Sequence, residues 1–190
     1  MKFGRNPVGG PPALEMDATD RAILELLQEN CKQPLAAIGE KVGLSAPAVV
    51  ERIHKLEEAG VVLGYTALLD PRKLGRDIAA FIGVTTDRPG AIDRVEIAVA
   101  AMDEVLECHH VTGGYTLMLK VKTRNTESLE QLIDNVRGIE GVARTETMVV
   151  LSTHTERTRI FLGADDGFPE RPRRGRRRAA ELEPNGGPRG

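Results

Sequence analysis

The spacing of apolar residues changes at Gly60, and this change constrains the fold more than any other feature of the sequence. Before Gly60, apolar residues recur every three or four positions, which is typical of amphipathic helices. After it, alternating apolar and polar residues predict strands, with two helical stretches between them. The chain therefore divides into a small helical domain, residues 16–61, and an α+β domain, residues 79–160, joined by a hinge strand and linker at 62–78.

Three helices are predicted in the first domain. Asp17 is placed to cap the first helix, with Asp20 at its third helical position. Gly43 ends the second helix because glycine readily adopts the left-handed conformation, and Ser45 is the N-cap of the third. Two short helices joined by a turn that holds glycine predict a helix-turn-helix, at residues 34–60. The predicted helical spans are 17–29, 35–42 and 45–60.

The outward side of the third helix is the candidate DNA-contacting surface. Since the formal net charge of the chain is only −2, any DNA contact must come from a local surface. We expect Arg52 to make a bidentate contact with a base or phosphate, and His54 and Lys55 to contact the backbone. A plain interaction module of three helices is the alternative. The candidate DNA-binding residues are Ser45, Ala46, Pro47, Ala48, Arg52, His54 and Lys55, and the predicted buried stripe is Val49, Val50, Ile53 and Leu56.

The second domain has strands and helices in the order βαββαβ. This order predicts a ferredoxin-like sandwich, with two helices on one face of a four-stranded sheet. In the third strand, Tyr115 is expected to share a face with Leu117, Leu119 and Val121. The predicted strands are 79–86, 105–111, 115–123 and 142–151, and the predicted helices are 91–102 and 126–137.

Two of these strands are apolar on both faces. Phe81 alternates with Ile82 in the first strand, and Met148 alternates with Val149 in the last. Because the helices cover only one side of the sheet, the other side is expected to pack against a second subunit. The sequence therefore predicts a homodimer at least.

Composition excludes several classes of protein. Two cysteines in separate segments, Cys31 and Cys108, predict neither a disulfide framework nor a metal site and fit a cytoplasmic protein. His109 and His110 follow Cys108, but neighbouring strand residues point to opposite faces and cannot converge on one metal. No apolar run approaches the ~20 residues of a membrane helix. No catalytic triad, P-loop or dinucleotide motif is present, so we expect no enzyme and no cofactor.

Both ends of the chain, residues 1–15 and 161–190, are predicted to be disordered because they lack apolar periodicity. Met16 is an alternative translation start. The arginine cluster Arg171 to Arg178 could add non-specific attraction to phosphates, and a solvated tail is the simpler interpretation.

Four motifs follow one another along the chain: Asp17-x-x-Asp20-Arg21-x-Ile23-Leu24, Gly43-Leu44-Ser45, Glu51-Arg52-Ile53-x-x-Leu56-Glu57-x-x-Gly60 and Gly64-Tyr65-Thr66-Ala67. With these motifs in this order, the sequence resembles the leucine-responsive/asparagine-regulator (Lrp/AsnC) family of transcription regulators over roughly residues 16–160. The resemblance implies a winged-helix-like DNA-binding domain followed by a RAM domain, which dimerises through its sheet and often builds octamers or higher assemblies. It also implies that small effectors, typically amino acids, bind at dimer–dimer contacts near the turn after the second RAM strand.

The effector turn departs from the family pattern. Many members carry acids there that hold a ligand's amino group, whereas this chain has Gly114 and Thr116. An ammonium buried without a partner is costly. Either the effector differs, or Glu104 or Glu146 substitutes, or ligand control has been lost. The candidate effector-binding residues are Thr112, Gly113, Gly114, Tyr115, Thr145 and Thr147.

Two other functions stay open on the sequence alone. One is an enzyme of the same fold that decarboxylates sirohaem, although the aromatic-rich strand motifs of such enzymes are absent and the chain has no Trp. The other is an oligomeric DNA-binding protein without an effector.

Overall fold

The computed structural model describes residues 15–162. The predicted leader and the arginine cluster lie outside them. Within the described residues, the chain forms two compact units, one of residues 15–65 together with 159–162, and one of Thr66–Thr158. In the described part of the chain, no helix is long and apolar enough to cross a membrane.

The first unit is a three-helix domain whose helices begin and end close to where the sequence predicts. Asp17 caps the first helix through a capping box with Asp20, and Ser45 caps the third. A core cluster of Ile23, Ile38, Val49 and Ile53 holds the helices together. The helices are α1 (Ala18–Glu29), α2 (Leu35–Val42) and α3 (Ala46–Glu58).

The turn between α2 and α3 depends on two glycines. Gly43 has φ +72°, in the left-handed region where a side chain is strained. Gly39 is required for a different reason, because a Cβ at this position would lie 2.4 Å from the carbonyl oxygen of Leu44. The sequence pattern predicted the need for glycine at position 43 but not at position 39. Glycine is required at position 39 because the backbone of Leu44, which follows α2, lies close to it.

The second unit is a four-stranded antiparallel sheet with two helices, so the predicted α+β fold is confirmed. The strand order is β2-β3-β1-β4. Single turns of 3₁₀ helix lie at Arg72–Leu74 and Pro89–Ala91. The strands are β1 (Ile78–Thr86), β2 (Val105–His110), β3 (Leu117–Thr123) and β4 (Val142–Val149), and the helices are α4 (Ile92–Val99) and α5 (Thr126–Arg137).

The core of this unit lies between the two helices and one face of the sheet, called here the helix face. Alternate residues of β1 and β3 point into it, because successive strand side chains point to opposite faces. The opposite face, called the open face, carries Phe81, Lys120 and Met148, which are neighbours in the register of β3, β1 and β4. The buried core residues are Ala80, Ile82, Val84, Val95, Val99, Leu117, Leu119, Val121, Leu129, Leu132 and Val136.

The sequence predictions are wrong in three places. Strand β3 begins at Leu117, and Tyr115 lies before it in an irregular turn rather than on the face of Leu117. Residues 61–77, all of which the structure describes, form no strand. Val50 is 47% exposed and does not belong to the buried stripe of α3.

Candidate nucleic-acid interface and effector region

The N-terminal turn of α3 is small and exposed. The hydroxyl of Ser45 accepts a hydrogen bond from the backbone N–H of Ala48 at 3.4 Å. Pro47 lies in the first turn of α3, where backbone N–H groups have no partner within the helix. The missing N–H of proline therefore costs no helical hydrogen bond. Such a helix end lets the backbone approach DNA closely and directs its N–H groups toward an anion.

The exposed side of α3 continues from Pro47 through Val50 to His54, since residues three and four apart share one side of a helix. Val49, Ile53 and Leu56 are buried on the opposite side. Val50 was not among the predicted DNA-binding residues, because its apolar character suggested a core position. Its 47% exposure adds an apolar side chain to the outward surface.

The predicted DNA contact of Arg52 disagrees with where its guanidinium lies. Arg52 Nη1 is 2.6 Å from a carboxylate oxygen of Asp17 and 2.7 Å from one of Asp20. The hydrogen bonds to Asp17 and Asp20 raise the pKa of Arg52. The Asp20 backbone N–H and the Arg52 guanidinium lower the pKa of Asp17. Arg52 thus joins α3 to the N-terminus of α1, and its Nη1 atom is shared between these two carboxylates.

Lys55 and His54 remain on the surface with weak partners. Lys55 Nζ is 3.1 Å from Glu51, and His54 Nδ1 is 3.5 Å from Glu58. All four side chains are about two thirds exposed, between 66% and 70%. Exposed contacts of this kind contribute little, so either side chain can exchange its partner for a phosphate.

In the second unit, the turn after β2 holds three of the predicted effector-binding residues. Thr112, Gly113 and Gly114 are all exposed. Gly113 has φ +112°, a conformation that favours glycine. The turn geometry therefore accounts for Gly113 without any ligand.

Tyr115 follows the turn and lies on the open face of the sheet. Its ring covers Gly83, where a Cβ would lie 2.5 Å from the ring atoms. Its hydroxyl donates a hydrogen bond to Glu146, which raises the pKa of Tyr115. Glu146 also accepts a hydrogen bond from Arg144 at 2.8 Å. Glu146, the acid that binds Tyr115, is therefore already paired with a cation.

Thr145 and Thr147 lie on the helix face instead. They pair in register with Val84 and Ile82, two core residues, and Arg137 of α5 donates a hydrogen bond to Thr145 at 2.9 Å. The sheet thus separates Thr145 and Thr147 from Tyr115, and the six predicted effector-binding residues do not converge on one site within a subunit. Sequence spacing placed the two threonines on one face correctly but could not give the position of Tyr115.

Cys108 and His109 point to opposite faces of β2, as the alternation predicts. Cys108 packs against the core, and burial raises the pKa of its thiol to about 11. His109 Nε2 lies 3.1 Å from Glu107 on the other face. Within residues 15–162, no group of three or more potential ligands could hold a metal ion.

Family models match both units of the chain. The AsnC-type helix-turn-helix domain matches residues 16–57, and the Lrp/AsnC ligand binding domain matches residues 79–160. The HTH-type transcriptional regulator FL11 of Pyrococcus horikoshii is 38% identical over 145 residues, which cover 76% of this chain and 95% of that protein. Regulatory protein AsnC of Escherichia coli K12 is 32% identical over 148 residues, covering 75% and 95%.

Solved structures agree with these matches. The structure of Escherichia coli AsnC superposes with a TM-score of 0.72 at 30% identity, covering 75% of this chain and 97% of that one. A transcriptional regulator of Neisseria meningitidis in complex with L-methionine gives a TM-score of 0.74 at 30% identity, covering 77% and 97%.

Proposed function

Because the chain belongs to the Lrp/AsnC family of transcription regulators, we propose that α3 contacts operator DNA while the sheet domain joins subunits and binds a small effector. The observation that carries the DNA assignment is the exposed side of α3, which the core of the three-helix unit does not use. We also propose that the protein works in the cytoplasm, where it would meet its operator.

The contacts divide between phosphates and bases. The backbone N–H groups at the start of α3, around Ser45 and Ala46, bind a phosphate, and Pro47 and Ala48 allow the close approach. Val50 offers an apolar contact to a thymine methyl group in the major groove. Lys55 and His54 contact the DNA backbone.

Arg52 takes a different role from the one its sequence position suggests. Held by Asp17 and Asp20, it sets the angle of α3 against α1 and contacts neither bases nor phosphates. Its effect on DNA affinity is then indirect, through the position of the outward side of α3.

Comparing Lys55→Ala with Arg52→Ala tests this division. Lys55→Ala should leave thermal stability unchanged, weaken binding to the DNA upstream of the protein's own gene, and reduce the salt slope of binding by about 1. Arg52→Ala should weaken binding together with the stability of the three-helix unit, and leave the salt slope unchanged. Lys73→Ala, at an exposed lysine in the other unit, is the control. A lower salt slope with unchanged stability in Arg52→Ala would show a direct contact and overturn the assignment.

We also infer that the open face of the sheet joins two subunits, with larger assemblies built from dimers. Phe81 and Met148 are paired in register there and are 38% and 40% exposed in the single chain. Contact with a second open face would remove this apolar surface from water.

The effector is proposed to bind at an assembly contact near residues 112–115, because the six candidate effector-binding residues do not converge within one subunit. The Neisseria relative was crystallised with L-methionine, which supports an amino acid or a related molecule. Glu146 is already bound to Arg144, so we expect weak recognition of a free ammonium group. A thermal-shift screen over amino acids and their oxo-acid and amide derivatives tests this, since a ligand of the folded state raises the melting temperature. Stabilisation by ordinary amino acids at micromolar concentration would contradict the weak recognition of ammonium.

The relatives carry the names of regulators, and we infer that this chain has no catalytic activity.

A further inference from the structure

Glu51 lies at the middle of the exposed side of α3. A helix has about 3.6 residues per turn, so Glu51 points almost directly away from the core, with Val50 on one flank and Lys55 on the other. The centre of the surface proposed to face DNA is therefore acidic. The buried residues that define the opposite side of the helix are Val49, Ile53 and Leu56.

Glu51 also lies in the first half of α3, one turn after Pro47. In a docked helix-turn-helix, the N-terminal residues of the second helix contact base edges. Arg52, the next residue, does not compete for this position, because its guanidinium is bound to Asp17 and Asp20. Among the charged side chains of α3, Glu51 is therefore the best placed to meet a base pair.

A carboxylate in this position gains from DNA only at particular bases. Duplex DNA carries one negative charge for about every 1.7 Å of its axis, and this charge repels an acid at any sequence. A carboxylate accepts hydrogen bonds and donates none, so it needs a base that offers an amino group in the major groove. The adenine amino group lies between two acceptors, its own N7 and O4 of the paired thymine. The cytosine amino group has an acceptor on one side only, and cytosine is therefore the better partner.

The ion pair that Glu51 makes within the helix is easily separated. Lys55 Nζ lies 3.1 Å from Glu51 Oε1, and the two side chains are 68% and 70% exposed. An exposed pair of this kind contributes little, so separating it costs little. When Lys55 contacts the DNA backbone, as proposed above, the Glu51 carboxylate loses its cation and is available to a base.

We propose that Glu51 is a specificity-determining residue of α3, whose carboxylate accepts a hydrogen bond from the N4 amino group of a cytosine in the operator. Repulsion by phosphates weakens binding to every duplex, and the hydrogen bond recovers affinity only where a C·G pair meets Glu51. Specificity at this pair thus comes from repulsion as well as attraction. The proposal rests on the DNA-binding function proposed above.

Glu58→Ala is the matched control for Glu51→Ala. Glu58 lies on the same side of α3, is about as exposed, and contacts a side chain one turn away, as Glu51 does. It lies seven residues further along the helix, about 10 Å, and so beyond the turns that contact bases. Each change removes one negative charge, and alanine favours the helix, so both variants should fold. Circular dichroism and the melting temperature check this.

The preferred sequence is first selected from a library of random duplexes with the full wild-type chain. Affinity is then measured by fluorescence anisotropy for the selected duplex and for a random one. A further set of duplexes exchanges each base pair of the selected sequence in turn, C·G for T·A and T·A for C·G. Replacing C·G by T·A puts the acceptor O4 of thymine where cytosine has its amino donor.

The wild type and Glu58→Ala should lose affinity about tenfold when one particular C·G pair is exchanged. For Glu51→Ala the same exchange should change affinity by less than about twofold, because the acceptor is gone, and the other positions should keep their effects. Both variants should bind the random duplex about twofold more tightly than the wild type does. This is the size expected for removing one charge about 10 Å from a phosphate in water.

Each contrary result has a definite meaning. If Glu51→Ala keeps the wild-type preference at every position, Glu51 contacts no base. If the preference lost in Glu51→Ala is for an A·T pair, the assignment to cytosine is wrong. If Glu58→Ala loses the same preference, the net charge of the helix is responsible and not a contact of Glu51. These three results leave the proposed function intact, whereas a wild-type chain that selects no sequence would overturn the proposed function and this contact with it.

Discussion

The two units of this protein bury their apolar residues differently. The three-helix unit has a core cluster of four buried residues, and its helices are also held by end caps and the ion pairs of Arg52. The sheet unit has a core of eleven buried residues between two helices and one face of the sheet. Because its core is small, the three-helix unit gains less stability from burying apolar side chains than the sheet unit does. Polar contacts at the helix ends therefore contribute a larger part of its stability.

The units also differ in which surface they leave for function. In the three-helix unit the free surface is one side of α3, and it is polar apart from Pro47 and Val50. In the sheet unit the free surface is the open face, which carries Phe81 and Met148. A polar free surface suits a polar partner such as DNA, whereas the exposed apolar side chains of the open face suit contact with another copy of the chain.

Alanine substitutions at two neighbouring residues of β1, Phe81 and Ile82, should give the largest effects on stability and assembly. They should also distinguish the two faces of the sheet. Ile82 is fully buried, so Ile82→Ala should lower the free energy of unfolding by about 2–5 kcal/mol at any protein concentration. Phe81→Ala should instead weaken subunit association, and its stability should depend more steeply on protein concentration. Denaturant unfolding at two concentrations and sedimentation velocity measure both. If Phe81→Ala keeps the wild-type assembly and concentration dependence, the open face is not the interface.

A smaller effect is expected from a methyl group added in the turn of the helix-turn-helix. Gly39→Ala would place its Cβ 2.4 Å from the Leu44 carbonyl oxygen, so α2 or the following turn must shift. Such overpacking costs about 1–3 kcal/mol. Hydrogen exchange should speed up in α1 to α3 and stay unchanged in the strands. Gly90→Ala is the control, because a Cβ there meets nothing within 4 Å. Equal exchange in the two variants would mean that the turn accommodates the methyl group.

The smallest effect concerns charge at the start of α1. Asparagine at position 17 keeps the cap and loses the charge next to Arg52. Because the pKa of Asp17 is lowered in the folded protein, its contribution is complete above the ordinary value of about 3.9 and is lost as the pH falls through the folded value. Asp17→Asn should therefore cost less than about 1 kcal/mol at pH 7, since the pair is exposed, and nothing near pH 2. Thermal unfolding followed by circular dichroism between pH 2 and 7 measures the difference. If the difference in stability between the wild type and Asp17→Asn increased as the pH fell, the predicted direction of the pH dependence would be wrong.

Local patterns predicted the secondary structure well. Helices α2 and α5 have the predicted bounds, and Asp17 and Ser45 are the predicted caps, because capping depends on residues three positions apart. The βαββαβ order followed from hydrophobic periodicity alone. Errors occurred where a residue's environment depends on distant parts of the chain, as for Tyr115, which covers Gly83 thirty-two positions earlier.

The sequence by itself determined the family, the two domains and the helix expected to contact DNA, because these depend on local periodicity and short motifs. Only the tertiary structure decided that Arg52 pairs with Asp17 and Asp20, that Tyr115 and Thr145 lie on opposite faces of the sheet, and that the side chain of Gln28 bonds the backbone of Ile160. The physical reason is the same in each case. A charged or polar side chain binds whichever partner folding brings within hydrogen-bond distance, and spacing along the chain does not specify that partner.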